Sequence, residues 1–82
     1  MSIFLSVICT GVVGGSTGGL ASCPAAKVGD KVLTAEVISG GTFPVGSDET
    51  TAFGSICPAD SVLAQLTPSF AGVNFLVTLQ RG

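Results

Sequence analysis

Cysteine is the residue type in this chain best suited to covalent chemistry, and it occurs at Cys9, Cys23 and Cys57. An odd number leaves at least one thiol outside any intrachain disulfide. Cys23 and Cys57 each precede a proline in a predicted loop, where disulfide geometry is easily met, so they are the preferred pair. That bridge would close a loop of about 34 residues and contribute roughly 3–4 kcal/mol in the chain-entropy model. For a protein made in a cytoplasm, we favour the alternative of three reduced, buried thiols that pack as small hydrophobes.

The chain contains no histidine. Histidine is the most common general base and metal ligand, and it is the partner in Ser-His and Cys-His nucleophile arrangements. Three cysteines without a fourth ligand do not make a tetrahedral zinc site. We therefore expect no metal and no cofactor.

The five carboxylates do not form a recognisable catalytic pair. Asp48 and Glu49 are adjacent in a predicted polar loop, which is more typical of a solvated turn than of an acid–base pair. Asp30, Glu36 and Asp60 are scattered, and each is interpreted as a turn residue or an exposed strand position. Together with the missing histidine, this pattern predicts that the protein is not an enzyme.

Residues 1–82 are interpreted as one domain, divided into an uncharged part (1–26) and a main β unit (27–82). In Ile3–Thr10 every second residue is apolar and falls on one face, while the other face is half apolar, which predicts a strand. The residues Gly11–Gly19 predict a glycine-rich loop. That loop lacks the Gly-Lys-Ser/Thr ending of a phosphate-binding loop.

Two other readings of the uncharged part are weaker. The apolar run at Ile3–Val13 is too short for a transmembrane helix, which needs about 20 residues. Leu20–Cys23 resembles a lipoprotein cleavage box, but the chain has no basic residue at its start as a signal peptide would.

The main β unit shows recurring strand patterns separated by turn residues. Val32–Ile38 and Val73–Gln80 are predicted strands, and Ser61–Leu66 is either a strand or a single helical turn. Thr42–Val45 contains a proline and is an edge segment at best, while Thr50–Ile56 alternates loosely. The fold class predicted is all-β: a small antiparallel sandwich or barrel, expected to be oligomeric.

The surface of this chain is poor in charge. Charged residues make up 10% of the sequence and the net charge is −2, whereas a typical soluble domain has roughly 25% charged residues. Three basic residues are too few to bind a phosphate backbone, so nucleic acid is not an expected partner, and neither is a membrane. An exterior with so few charges is poorly protected against association.

We therefore expect neighbouring protein chains to cover part of this surface. The expected contact residues are apolar residues of the N-terminal strand: Ile3, Phe4, Leu5, Val7 and Ile8. The alternative is that these residues fill the core of their own protomer.

Several short motifs carry a family resemblance: Gly29-Asp30-Lys31-Val32-Leu33, Phe53, Ile56, Gln65 and the ending Phe75–Gly82. In this pattern the chain resembles small virion proteins of tailed bacteriophages. The resemblance implies a compact β fold that decorates or cements a capsid, often as a trimer, or that belongs to a tail, neck or fibre. It also implies a homo-oligomer bound to a capsid or other virion protein, located in the virion after synthesis in the host cytoplasm. The alternative classes are a secreted or lipid-anchored surface module and, with less support, a membrane-active peptide.

Overall fold

The computed structural model describes residues 3–12, 19–41, 43–66 and 70–82. These residues form five antiparallel strands in one curled sheet, a half-barrel with strand order β3-β5-β1-β2-β4. The all-β prediction is confirmed. The elements are β1 (Ile3–Thr10), β2 (Gly19–Ser22), β3 (Lys31–Ser39), a one-turn 3-10 helix (Thr50–Ala52), β4 (Val62–Gln65) and β5 (Asn74–Arg81).

β1 and β5 follow the predicted alternation, whereas β3, which was predicted from its bounding turns and β-branched residues, pairs with β5 with two register shifts. Along β5, Phe75, Val77 and Leu79 are fully buried, while the residues between them are half-buried. The strand predicted at Ile3–Thr10 has those bounds, and the other two long strands differ from their predicted ends by one residue. A side-chain period of two places alternate residues on the core face, and for this reason β1 and β5 could be predicted from the sequence.

The shorter elements differ more from expectation. Ser61–Leu66 contains a strand rather than a helical turn. Gly19–Ser22 forms a strand that was not predicted, beginning at the last residue of the predicted glycine loop. Thr50–Ile56 opens with the 3-10 turn. Of the expected edge segment, residues 43–45 form no strand and residue 42 lies outside the described residues, as do residues 13–18 of the predicted glycine loop.

The core is built around an aromatic cluster on the concave side of the sheet. Phe75 packs edge-to-face against Phe53 and Phe70, with ring centroids 5.0 Å and 5.3 Å apart, and Phe43 lies 4.8 Å from Phe70. Such aromatic pairs add to the free energy gained from burial alone. The fifth phenylalanine, Phe4, lies outside this cluster and is 64% exposed.

Residues 46–57, here called the closing segment, cover the edges of both outer strands of the sheet. Along β3, the Val37 N–H donates to the Ser47 carbonyl (3.0 Å) and the Val32 N–H donates to the Ser55 carbonyl (2.9 Å). Along β4, the Gly54 N–H donates to the Ala64 carbonyl (2.8 Å). Covering an edge in this way prevents another chain from pairing there.

β1 and β2 pair at a single position, Thr10 with Ser22. Next to it, Cys9 and Cys23 form a disulfide with their Cα atoms 4.3 Å apart, and Cys57 is a buried free thiol. The expected Cys23–Cys57 pairing is therefore wrong, and so is the favoured alternative of three reduced thiols. The physical reason is that the antiparallel pairing of Thr10 with Ser22 brings the neighbouring residues Cys9 and Cys23 together.

Candidate interaction surface

The candidate site is the convex side of the three long strands, here called the outer face. Pairing across β1, β5 and β3 defines three rows on it. These rows are Phe4–Gln80–Lys31, Ser6–Thr78–Thr34 and Ile8–Leu76–Glu36.

Large apolar side chains on β1 are exposed to solvent. Phe4 is 64% exposed and Ile8 is 51% exposed on the outer face, and Ile3 at the start of the strand is 54% exposed. Single exposed apolar residues are common, but here three occur on one uncharged strand, and exposed apolar surface of this kind is a feature of interaction sites. This strand is therefore the best candidate for a contact with another chain.

The structure divides the five predicted contact residues into two groups. Ile3, Phe4 and Ile8 are exposed, whereas Val7 is 6% exposed and Leu5 packs against the core. Val7 thus fills the protomer's own core, and its predicted role as a contact residue is wrong. Both faces of β1 are partly apolar, so sequence could not tell which one faces inward.

The two ends of the outer face differ in the polarity of their side chains. At one end, the Thr10 hydroxyl donates to Asn74 Oδ1 (2.9 Å) and Asn74 Nδ2 donates to the Ser39 hydroxyl (3.0 Å). At the other end lies Phe4, and the only ionised residues in the three rows are Lys31 and Glu36, both on β3. The polar end has its hydrogen bonds satisfied internally, while the apolar side chains of β1 gain from being covered.

The buried carboxylate of Asp30 forms an ion pair with Arg81, whose side chain is 36% exposed, and the sequence interpretation of Asp30 missed this pair. Arg81 Nε donates to Asp30 Oδ1 (2.9 Å), Arg81 Nη2 donates to Oδ2 (2.8 Å), and the Lys27 N–H donates to the same carboxylate (2.9 Å). Hydrogen bonds from Arg81 hold the pKa of Asp30 below its ordinary value, despite an opposing effect of burial. Buried charges with shifted pKa values are candidates for function, but this one is fully paired within the fold, so its role is structural.

Gln65 is a second buried polar residue with a structural role. The Val12 N–H donates to Gln65 Oε1 (3.1 Å), and Gln65 Nε2 donates to the Val12 carbonyl (3.0 Å). The side-chain amide therefore binds the main chain of Val12 as a neighbouring strand would. This explains why Gln65 can lie at 1% exposure without destabilising the core.

The Cys57 thiol is not arranged as a nucleophile. Burial raises its pKa, and Cys57 Sγ lies within hydrogen-bonding distance of the carbonyls of Ala59 (2.8 Å) and Val62 (3.0 Å). A thiol reacts as its thiolate, so a raised pKa makes this residue inert in the folded protein.

The described residues contain no group of three or more Cys, Asp or Glu side chains that could hold a metal ion, and they enclose no pocket. Within the same ranges, no helix has the length and apolar character needed to cross a membrane. The feature that most suggests an interaction is thus a surface and not a cavity.

Comparisons with protein-family models, with curated proteins and with solved structures gave no match.

Proposed function

We propose that this chain is a non-enzymatic structural subunit of a bacteriophage virion, most consistent with a capsid decoration or cement protein. The observation that carries the proposal is the exposed apolar side of β1, with Phe4 separated from the other four phenylalanines. A cement subunit stabilises a particle by covering apolar surface at contacts between subunits, which requires such a face.

The energetic argument rests on area and charge. Burial of apolar surface stabilises a contact by about 25 cal/mol per Å². Charge on the strand would oppose that burial, and no ionised side chain occurs between Met1 and Ala26. β1 can therefore enter an interface without desolvating a charge.

We propose a virion in particular because of the resemblance to phage proteins. The fold gives a physical reason why two of the motifs in that resemblance occur together. The Gly29-Asp30-Lys31 strand start and the ending at Arg81 belong together because Asp30 binds Arg81. Gly29 has a φ of 90°, which suits glycine at the turn before β3.

Mass spectrometry of gradient-purified virions from a phage that encodes this chain tests the proposal. We expect the chain to be present in many copies per particle, and virions without it to release their DNA at a lower temperature. Finding the chain only in the lysate, and not in purified particles, would contradict a virion role.

A secreted surface module is the second candidate, and the Cys9–Cys23 disulfide is the observation that favours it. Stable disulfides are typical of oxidising compartments outside the cytoplasm. A lipid anchor at Cys23 is less compatible, because a lipidated cysteine has no thiol left for the bond to Cys9. Detection of the processed or intact chain in the culture medium of uninfected cells would support this candidate over the virion.

A further inference from the structure

Along most of β1, the edge that faces away from β5 is not paired with any described residue. β1 pairs with β5 from Ile3 to Thr10, but on the other side Thr10, with Ser22 of β2, is the only pairing among the residues that the structure describes. The short strand β2 ends there, because the chain turns away after Ser22. The first part of β1 is therefore a strand edge that the described part of the chain does not cover.

The hydrogen-bond pattern identifies which main-chain groups are open. The Gly11 N–H donates to the Val73 carbonyl, so odd-numbered residues of β1 direct their N–H and C=O groups toward β5. Even-numbered residues direct theirs the other way. For Phe4, Ser6 and Ile8, no described residue forms a main-chain hydrogen bond with these outward groups.

Val12 provides a contrast on the same edge. It is also even-numbered, and its N–H and C=O are bound by the side chain of Gln65. Within the described ranges, this edge is thus covered at Thr10 and Val12 and open from Phe4 to Ile8. Proteins usually protect such edges with charge, proline or a bulge, and β1 has none of these.

From this geometry we infer that β1 pairs edge to edge with β1 of a second copy of this chain, antiparallel about a two-fold axis at Ser6. The inference rests on the proposed function, since it names the partner of the same apolar strand. Paired residues must have their side chains on the same face, and only the open even-numbered residues can exchange hydrogen bonds. The register centred on Ser6 is the one that uses all the open groups of Phe4, Ser6 and Ile8.

The same register also matches the side chains. It places Phe4 opposite Ile8 of the second copy, and Ile8 opposite its Phe4, an aromatic–β-branched pair of the kind that stabilises sheets. Because β1 carries no charge, self-pairing brings no like charges together. The edges of β3 and β4 are covered by the closing segment, which leaves β1 as the edge available for this pairing among the described strands. The unit is a dimer, in place of the trimer that the family resemblance implies.

Cysteine cross-linking of the full-length chain tests the pairing. In the proposed dimer the two Ser6 Cα atoms lie about 5.5 Å apart, within reach of a disulfide. We expect Ser6→Cys to form a covalent dimer under mild oxidation, detected by non-reducing electrophoresis and mapped by mass spectrometry. The matched control is Thr78→Cys, which lies beside Ser6 on the same face but one strand away. Two copies of Thr78 would be separated by three strand spacings, roughly 14 Å, and should not cross-link.

A second pair of variants tests the main-chain contact. Ser6→Pro removes an N–H from the open edge and leaves the hydrogen bonds to β5 in place, whereas Ser6→Ala retains that N–H. We expect Ser6→Pro to be a folded monomer and Ser6→Ala a dimer, judged by circular dichroism and light scattering. Equal cross-linking of the Ser6→Cys and Thr78→Cys variants would indicate face-to-face packing and overturn the edge pairing. A chain that associates without any Ser6→Cys cross-link would also overturn it and would leave the proposed virion role standing. That role fails separately, if purified virions lack the chain.

Discussion

The carboxylate of Asp30 accepts hydrogen bonds from both Nε and Nη2 of Arg81, which lies 51 residues away in sequence. Asp30 immediately precedes β3, and Arg81 ends β5, so the pair fixes the two neighbouring strands at one end of the sheet. The Arg81 guanidinium also donates to the Ala25 carbonyl (3.2 Å). One arginine therefore joins the loop after β2 to the last strand of the fold.

Stability is expected to depend on pH through Asp30. Its pKa is lower in the folded chain, so the ionised pair stabilises the protein above the unfolded pKa of about 3.9. This contribution is lost as the pH falls below that value toward the folded pKa. At pH 7 we expect Asp30→Asn to lower the free energy of unfolding by about 2 kcal/mol, a typical contribution for hydrogen bonds to a charged group.

Urea unfolding at pH 7, 5, 4 and 3 measures the contribution of the Asp30–Arg81 pair to stability. The free energy of unfolding of the wild type should fall more steeply below pH 4 than that of Asp30→Asn. The control is Asp60→Asn, which removes an exposed carboxylate and should keep the steep dependence. An equally steep fall in Asp30→Asn would show that the pair does not have this role.

The Cys9–Cys23 disulfide is expected to stabilise the pairing of β1 with β2, which consists of one residue pair among the described residues. A bridge closing a loop of about 15 residues contributes about 3 kcal/mol in the chain-entropy model. Reductant should lower the free energy of unfolding by about that amount and speed amide hydrogen exchange in β2. The Cys9→Ala/Cys23→Ala double variant should be insensitive to reductant. Wild-type stability that does not change with reductant would argue against the bridge.

Two glycines in the left-handed region should differ in their tolerance of alanine. Gly40 has a φ of 87°, and a Cβ there would clash with the Gly72 carbonyl oxygen. Gly29 has a φ of 90° with open space around it. We expect Gly29→Ala to cost about 1–2 kcal/mol for the backbone conformation alone, and Gly40→Ala to cost clearly more. Chemical denaturation of both variants measures the difference; equal losses would mean that the close approach of Gly40 to Gly72 is unimportant.

β1 and β5 were predictable because their period-two patterns reflect burial directly, and β3 because turn residues bound a run with β-branched ends. The pattern at Gly19–Ser22 is too short and its residues too small to show such a period, so β2 was missed. The Asp30–Arg81 pair depends on how β3 and β5 are placed in the sheet, which local sequence does not reveal.

The cysteine pairing and the candidate surface show a similar limit. Three cysteines allow three different single bridges, and the choice between them depends on which strands are neighbours. The composition indicated that some surface must be covered, and the apolar residues of β1 were identified as candidates. Packing of the core determines which of these residues face outward. Val7 and Cys9 pack inside, and Phe4 and Ile8 therefore lie outside.

Light scattering of the purified full-length chain over a range of concentrations tests most directly whether other chains cover the exposed side of β1. We expect a mass above the 8.1 kDa monomer for the wild type and for the control Val45→Ser, which replaces an apolar residue that is 73% exposed in a loop. The Phe4→Ser/Ile8→Ser double variant should remain folded and be monomeric. A wild-type chain that stays monomeric at millimolar concentration, or a double variant that associates as the wild type does, would contradict the account.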